Sequence, residues 1–174
     1  MRKITSYEIA LSALSCAMAT AFLTVGVYTD VLLLSSYLVA SIALLIPLSK
    51  KSWWGYVLAY LATCILTSIF TSWKFWDVLP FIAFFGLHPL LNELQLKFKI
   101  NKWLAFGIKA AWFDGAMYLI WRFIFEMTTN YAWLDKYMVW IILVVGTAFF
   151  LLYDYALFKW RGIINKLVQR ISKK

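Results

Sequence analysis

Six stretches of continuous apolar sequence, most of them about 20 residues long, constrain this chain more than any other feature. They run Tyr7–Val27, Val31–Leu48, Ser52–Thr71, Phe75–Leu94, Trp103–Phe125 and Tyr137–Phe158. A helix of about 20 mainly apolar residues is long enough to cross the hydrocarbon core of a bilayer. Polar breaks fall at Thr29-Asp30, Ser49 to Lys51, Ser72 to Lys74, Lys97 to Lys102 and Thr128 to Asn130. The runs lack the strict alternation that the strands of a membrane barrel need. Composition agrees, since 14% of residues are charged and 64% apolar, against roughly 25% and 45–50% in soluble domains. The pattern predicts an all-α integral membrane protein with one domain of six transmembrane helices over residues 1–160. A soluble enzyme, a soluble nucleic-acid-binding domain and a disordered chain do not fit.

The cations set the orientation. With the N-terminus inside, Arg2, Lys3, Lys50, Lys51, Lys97, Lys99, Lys102, Lys159, Arg161, Lys166, Arg170, Lys173 and Lys174 all face the cytoplasm. Lys74 and Lys136 fall outside, and Lys109 and Arg122 lie within span 5. That asymmetry is the positive-inside pattern and predicts cytoplasmic N- and C-termini. The net charge of +9 then reads as topology plus attraction to anionic lipid, with no nucleic-acid partner. In the tail, residues 161–174, Ile163, Ile164, Leu167, Val168 and Ile171 recur at helical spacing opposite Lys166, Arg170 and Lys173. The expectation is a short amphipathic helix lying along the cytoplasmic interface.

Cys16 and Cys64 both fall inside spans and read as small apolar fillers, with no disulfide or thiol metal site. Arg2-Lys3 and Ala17-Met18-Ala19 loosely imitate a signal peptide, but the apolar run continues past them, as in a retained first span. No His-Glu-x-x-His, Gly-x-Ser-x-Gly, Walker loop or paired-cysteine array occurs, so no catalytic residue, metal site or cofactor is expected. Energy for any active transport would have to come from a separate ATPase. The single histidine, His88, precedes Pro89 and reads as a kink or a satisfied polar contact.

Ionisable groups within spans point to function, because each costs about 2.5–3.5 kcal/mol at a helix centre. Asp114 lies mid-span and needs a partner, a proton or a water-filled pocket. Lys109, Asp154 and Glu93 read as a polar network or headgroup contacts near the inner face. Trp73, Phe75, Trp76, Trp121, Tyr131, Trp133, Tyr137 and Trp140 crowd the outer ends of spans 3 to 6. An interfacial belt explains most of them. The functional reading is an outward pocket that stacks a flat ligand, with Arg122, Glu126 and Asn130 supplying polar specificity. Arg122 and Glu126, at i and i+4, are also placed to pair with each other. The candidate substrate-binding set is Trp76, Asp114, Trp121, Arg122, Glu126 and Asn130.

In span 1, Ala13, Ala17 and Ala21 repeat every four residues beside a ridge of Ser12, Cys16, Thr20 and Thr24. Small ridges let helix backbones approach closely in lipid, either within the subunit or against a partner.

Six spans in under 200 residues, cytoplasmic termini and the segment Ile9-Ala10-Leu11-Ser12-Ala13-Leu14-Ser15-Cys16-Ala17 together resemble the S components of energy-coupling factor transporters. These are the small substrate-capturing membrane subunits of bacterial vitamin importers. The run Leu79-Pro80-Phe81-Ile82-Ala83-Phe84-Phe85-Gly86-Leu87-His88-Pro89-Leu90 and the following Lys109 look like small bacterial membrane proteins of the same shape. The resemblance implies that Ala13 and Ala17 dock on a transmembrane coupling subunit and that two ATPase subunits supply energy. It further implies a small-molecule ligand held in the outer half, between spans 4 to 6, in the bacterial cell membrane. No ligand-reading motif for thiamine, riboflavin, folate or biotin is present. Two alternatives remain at this level: a stand-alone proton-coupled transporter with Asp114 as the titrating group, and a non-transporting assembly protein.

Overall fold

The computed structural model describes residues 5–29, 31–125 and 132–171. All regular structure among them is helical. Six rods follow one another: α1 (Ser6–Thr29), α2 (Leu33–Leu48), α3 (Trp53–Phe70), α4 (Phe75–Lys97), α5 (residues 102–125) and α6 (Ala132–Ile171). Four of them, α1, α3, α4 and α6, are long and apolar enough to cross a membrane, while α2 has 16 residues. At 1.5 Å per residue α2 spans about 24 Å, slightly less than a hydrocarbon core. Large apolar side chains such as Ile9, Leu58, Ile108, Val144 and Leu152 stand more than half exposed on the outside. A lipid-facing surface explains this; a water-facing one does not.

Contacts show that successive helices alternate in direction. Gly26 lies beside Ser36 and Ser15 beside Ala43, so α1 and α2 are antiparallel, whereas the C-terminal ends of α1 and α3 meet, so those two run the same way. Ser15 of α1 donates to the Ala43 carbonyl of α2 at 2.8 Å, and Tyr28, near the far end of α1, donates to the Phe70 carbonyl of α3. One end of the bundle therefore gathers Lys50, Lys51, Lys97, Lys99 and Lys102, and the other gathers Trp73, Trp76 and Trp133. Three turns at helix ends share one backbone device. After α2, α3 and α4 the chain reverses through a left-handed residue, Lys51, Ser72 or Lys99. In each turn the following N–H returns to a carbonyl of the last helical turn: Ser52 to Pro47, Trp73 to Ser68, Ile100 to Gln95. This is the Schellman arrangement, built here without its usual glycine. At the start of α5 the Asn101 side chain accepts from the Trp103 N–H at 2.9 Å, a helix N-cap.

Prolines explain much of the buried polarity. Proline lacks an N–H, so the carbonyl four residues before it loses its helical partner. Pro47 frees the Ala43 carbonyl, and Ser15 takes it up. Pro89 frees the Phe85 carbonyl, which accepts from Ser41 at 2.8 Å and Tyr153 at 3.1 Å. Around these positions α4 departs from α geometry. Residues Phe81–Phe85 form a π segment, and the helix resumes only at His88. The loosened carbonyls of Ile82 and Gly86 are taken by the hydroxyls of Tyr60 and Tyr56. Backbone polarity at membrane depth must be satisfied by neighbouring groups, and four side chains from α2, α3 and α6 do so here. The aromatic core formed by Phe84, Phe85, Phe113, Phe150 and Tyr153 packs directly around this irregular stretch.

α6 differs from its sequence-based expectation. The segment expected to form a separate interfacial helix continues α6 without a break as far as Ile171. Forty residues make about 60 Å of helix, roughly twice the hydrocarbon thickness. Ile164 packs on the core and Val168 is buried, so the apolar face of the tail is drawn into the protein as well as outward. Residues 172–174 lie outside the described residues.

Candidate functional site

Two regions collect polar chemistry within the apolar bundle. The first joins α4, α5 and α6 in the half nearer the basic end. His88 and Asn92 sit one turn apart on α4, Lys109 reaches across from α5, and Asp154 faces both from α6. The Asp154 Oδ1 lies 2.7 Å from His88 Nε2 and accepts from Lys109 Nζ at 2.8 Å. Lys109 also donates to Asn92 Oδ1 at 2.9 Å, and its ammonium lies 5.2 Å from the Phe158 ring centre. His88 is fully buried and Lys109 is 4% exposed, so Lys109 does not snorkel to the interface. Next to Asn92 on α4, Glu93 pairs with Arg161 of α6 through two hydrogen bonds. Charges cancel within each group, which makes burial tolerable. The set holds three helices together and contains hydrogen-bonding atoms in reserve: His88 Nδ1 and Asn92 Nδ2 are buried without a partner.

The second region lies in the half nearer the aromatic end. Trp76, 58% exposed, lines two hollows. One, about 680 Å³, runs between α4 and α5 along Leu79, Ala83, Trp112, Gly115, Leu119 and Phe123. The other, about 360 Å³, is bounded by Tyr37, Asp77, Pro80, Phe113, Met117 and Phe149. Asp114 looks the other way, toward α6, where Thr147 Oγ1 donates to its Oδ2 at 3.0 Å. Its Oδ1 is buried without a partner. A third hollow, about 210 Å³, opens beside it. Trp121 is 8% exposed, packs against Tyr118 at 5.8 Å and keeps its indole N–H unpartnered. Arg122 is exposed.

The sequence-based ligand set is therefore brought together only in part. Trp76 and Asp114 border neighbouring hollows separated by Gly115, while Trp121 points into the protein. Glu126 and Asn130 lie outside the described residues, as does Tyr131. Trp73, Phe75, Trp133, Tyr137 and Trp140 are exposed, as an interfacial belt requires. Sequence reasoning missed Thr147, Asn92 and Ser41. A hydroxyl or amide in an apolar helix carries no signal of which distant group it faces.

On α1 the two small ridges separate. Ser12, Cys16 and Thr20 are buried, and Ala13, Ala17 and Ala21 are exposed. Between α1 and α3 a shallow groove of about 440 Å³ runs along Ala13, Ala17, Gly55, Leu58, Ala62 and Leu66. No side chain among the described residues fills it. Cys16 and Cys64 are both free thiols, Cys16 buried and Cys64 half-buried.

Compared with protein-family models, curated proteins and solved structures, the chain matches none.

Proposed function

We propose that this chain is the substrate-binding membrane subunit of an importer of the energy-coupling factor type. In this reading it is a multi-pass protein of the bacterial cell membrane with both termini in the cytoplasm. It captures a small nutrient on the outer side and delivers it with a transmembrane coupling subunit and two ATPase subunits. The observation that carries the reading is the exposed Ala13, Ala17, Ala21 face and its groove against α3. Every other face of α1 is engaged or carries bulky side chains, and this one lets another helix approach closely. The hollows around Trp76 at the opposite end of the bundle support ligand capture, being mainly apolar with a few polar groups. The cluster of Lys50, Lys51, Lys97, Lys99 and Lys102 at the other end supports a cytoplasmic location for that end and contact with anionic lipid.

The test is co-purification. The chain is isolated gently from its native membrane and analysed by mass spectrometry for ATPase and coupling subunits. Ala17→Trp should reduce their recovery at least tenfold. Equal recovery with Ala17→Trp and Ala13→Trp would overturn the reading.

A further inference from the structure

We infer that Asp114 and Thr147 form a binding site for a small protonated amine between α5 and α6. The inference rests on the proposal that the chain captures a ligand, and it names the chemistry that one part of the site would select.

The argument begins with an incomplete carboxylate. An ionised carboxylate offers about four acceptor positions. Asp114 uses one oxygen for the Thr147 hydroxyl, and its other oxygen is buried without a donor. An unpaired carboxylate in apolar surroundings must find a cation, a donor or a proton. The hollow beside it is lined by Asp114, Gly115, Tyr118, Val139, Ile142 and Leu143. At about 210 Å³ it has the volume of roughly seven waters at about 30 Å³ each. Apart from Asp114, its side chains are one phenol and three aliphatic groups.

Two of the lining residues, Ile142 and Leu143, belong to an irregular stretch of backbone. Ile142–Gly146 is a π segment that ends immediately before Thr147, and π turns often mark functional positions. Gly146 faces the carboxylate: a Cβ added there would lie 3.7 Å from Asp114 Oδ1 and 3.3 Å from the Phe113 ring.

These features suit one ligand class. An ammonium group seated in the hollow would pair with the Asp114 carboxylate, which the Thr147 hydroxyl holds in place. A short apolar body would lie on Val139, Ile142 and Leu143, with the Tyr118 ring available to the cation. Anions are repelled by Asp114. A hard metal cation is poorly served, because it needs about six oxygen ligands and the only side-chain oxygen lining this hollow besides the carboxylate is the Tyr118 phenol. A proton alone on Asp114 is the competing occupant.

The test uses the full chain in lipid nanodiscs and isothermal titration with benzylamine, whose uncharged counterpart is benzyl alcohol. Benzylamine should bind saturably, at least tenfold more weakly to Asp114→Asn and several-fold more weakly to Thr147→Val. Benzyl alcohol should not distinguish Asp114→Asn from the native chain. Equal benzylamine binding by the native chain and Asp114→Asn would mean partitioning into the bilayer and would overturn the inference. Absence of benzylamine binding by the native chain would leave the carboxyl with a proton only and would overturn it equally. Asp114→Asn keeps the side-chain shape, and thermal melting verifies that it folds. Co-purification of the partner subunits is read separately, so a failed amine site and a failed docking face give different results.

Discussion

Lys109 Nζ and Asp154 Oδ1 stand 2.8 Å apart between α5 and α6, and the same carboxylate oxygen lies 2.7 Å from His88 Nε2 of α4. One oxygen therefore ties three helices. Removing one member of a buried ion pair strands the other charge, which costs about 3–5 kcal/mol, whereas replacing both by apolar groups is often close to neutral. Lys109→Met or Asp154→Leu alone should each lower stability by about that amount. The double variant should be more stable than either single one. Thermal unfolding in detergent measures all three, and additive losses in the double variant would show that the pair does not act as a unit.

Ser15 and Pro47 form a second coupled pair. Because Pro47 leaves the Ala43 carbonyl without a helical donor, Ser15→Ala should cost about 1–3 kcal/mol, the penalty for a buried unsatisfied polar group. Adding Pro47→Ala restores an N–H within α2 and should recover most of the loss. A double-mutant cycle on melting temperature reads the coupling directly. Zero coupling would refute this account of the buried serine.

Glycine substitutions should divide by what surrounds them. A Cβ on Gly86 would meet the Tyr60 ring at 2.6 Å and the Phe81 ring at 2.9 Å, while Gly107 has nothing within 4 Å. Gly86→Ala should destabilise by about 1–3 kcal/mol through overpacking. Gly107→Ala should be neutral or stabilise by up to about 1 kcal/mol through helix propensity. Equal melting temperatures for the two variants would contradict the packing around the irregular part of α4.

Ala17 and Ala19 are two residues apart in α1 and should respond oppositely to bulk. Ala19 is fully buried and Ala17 is exposed. Ala19→Trp should fail to fold or melt far below the native chain. Ala17→Trp should stay within about 0.5 kcal/mol when the chain is isolated. That result would show that any loss of partners in Ala17→Trp comes from the surface itself and not from misfolding.

Several elements were legible from residue order. The ends of α2, α3 and α5 fall within a few residues of the apolar runs, because hydrophobicity over 20 residues is a strong, local signal. Asp114, Lys109 and Asp154 stood out for the same reason: a charge in an apolar run is expensive wherever it sits. Residue order predicts a separate tail helix, whereas α6 runs on through it to Ile171. Lys159-Trp160-Arg161 marks an interface in composition, but it contains no proline or glycine stop before Gly162, and one mid-helix glycine does not end a helix. The outer pocket was read as a single site, whereas rotation of α5 turns Trp121 inward and splits Trp76 from Asp114.

By itself the sequence determined that this chain must be helical and apolar-faced, where most of its rods begin and end, and which few charges need an explanation. Each of these follows from solvation and hydrogen bonding within a single segment. Tertiary structure alone decided which groups answer one another: His88 with Asp154, 66 residues apart, Lys109 with Asp154, 45 apart, and Asp114 with Thr147, 33 apart. It also decided which ridge of α1 faces inward. A helix repeats every 3.6 residues and presents every side chain to some direction. Only packing against other helices determines whether that direction is lipid, a hollow or a partner.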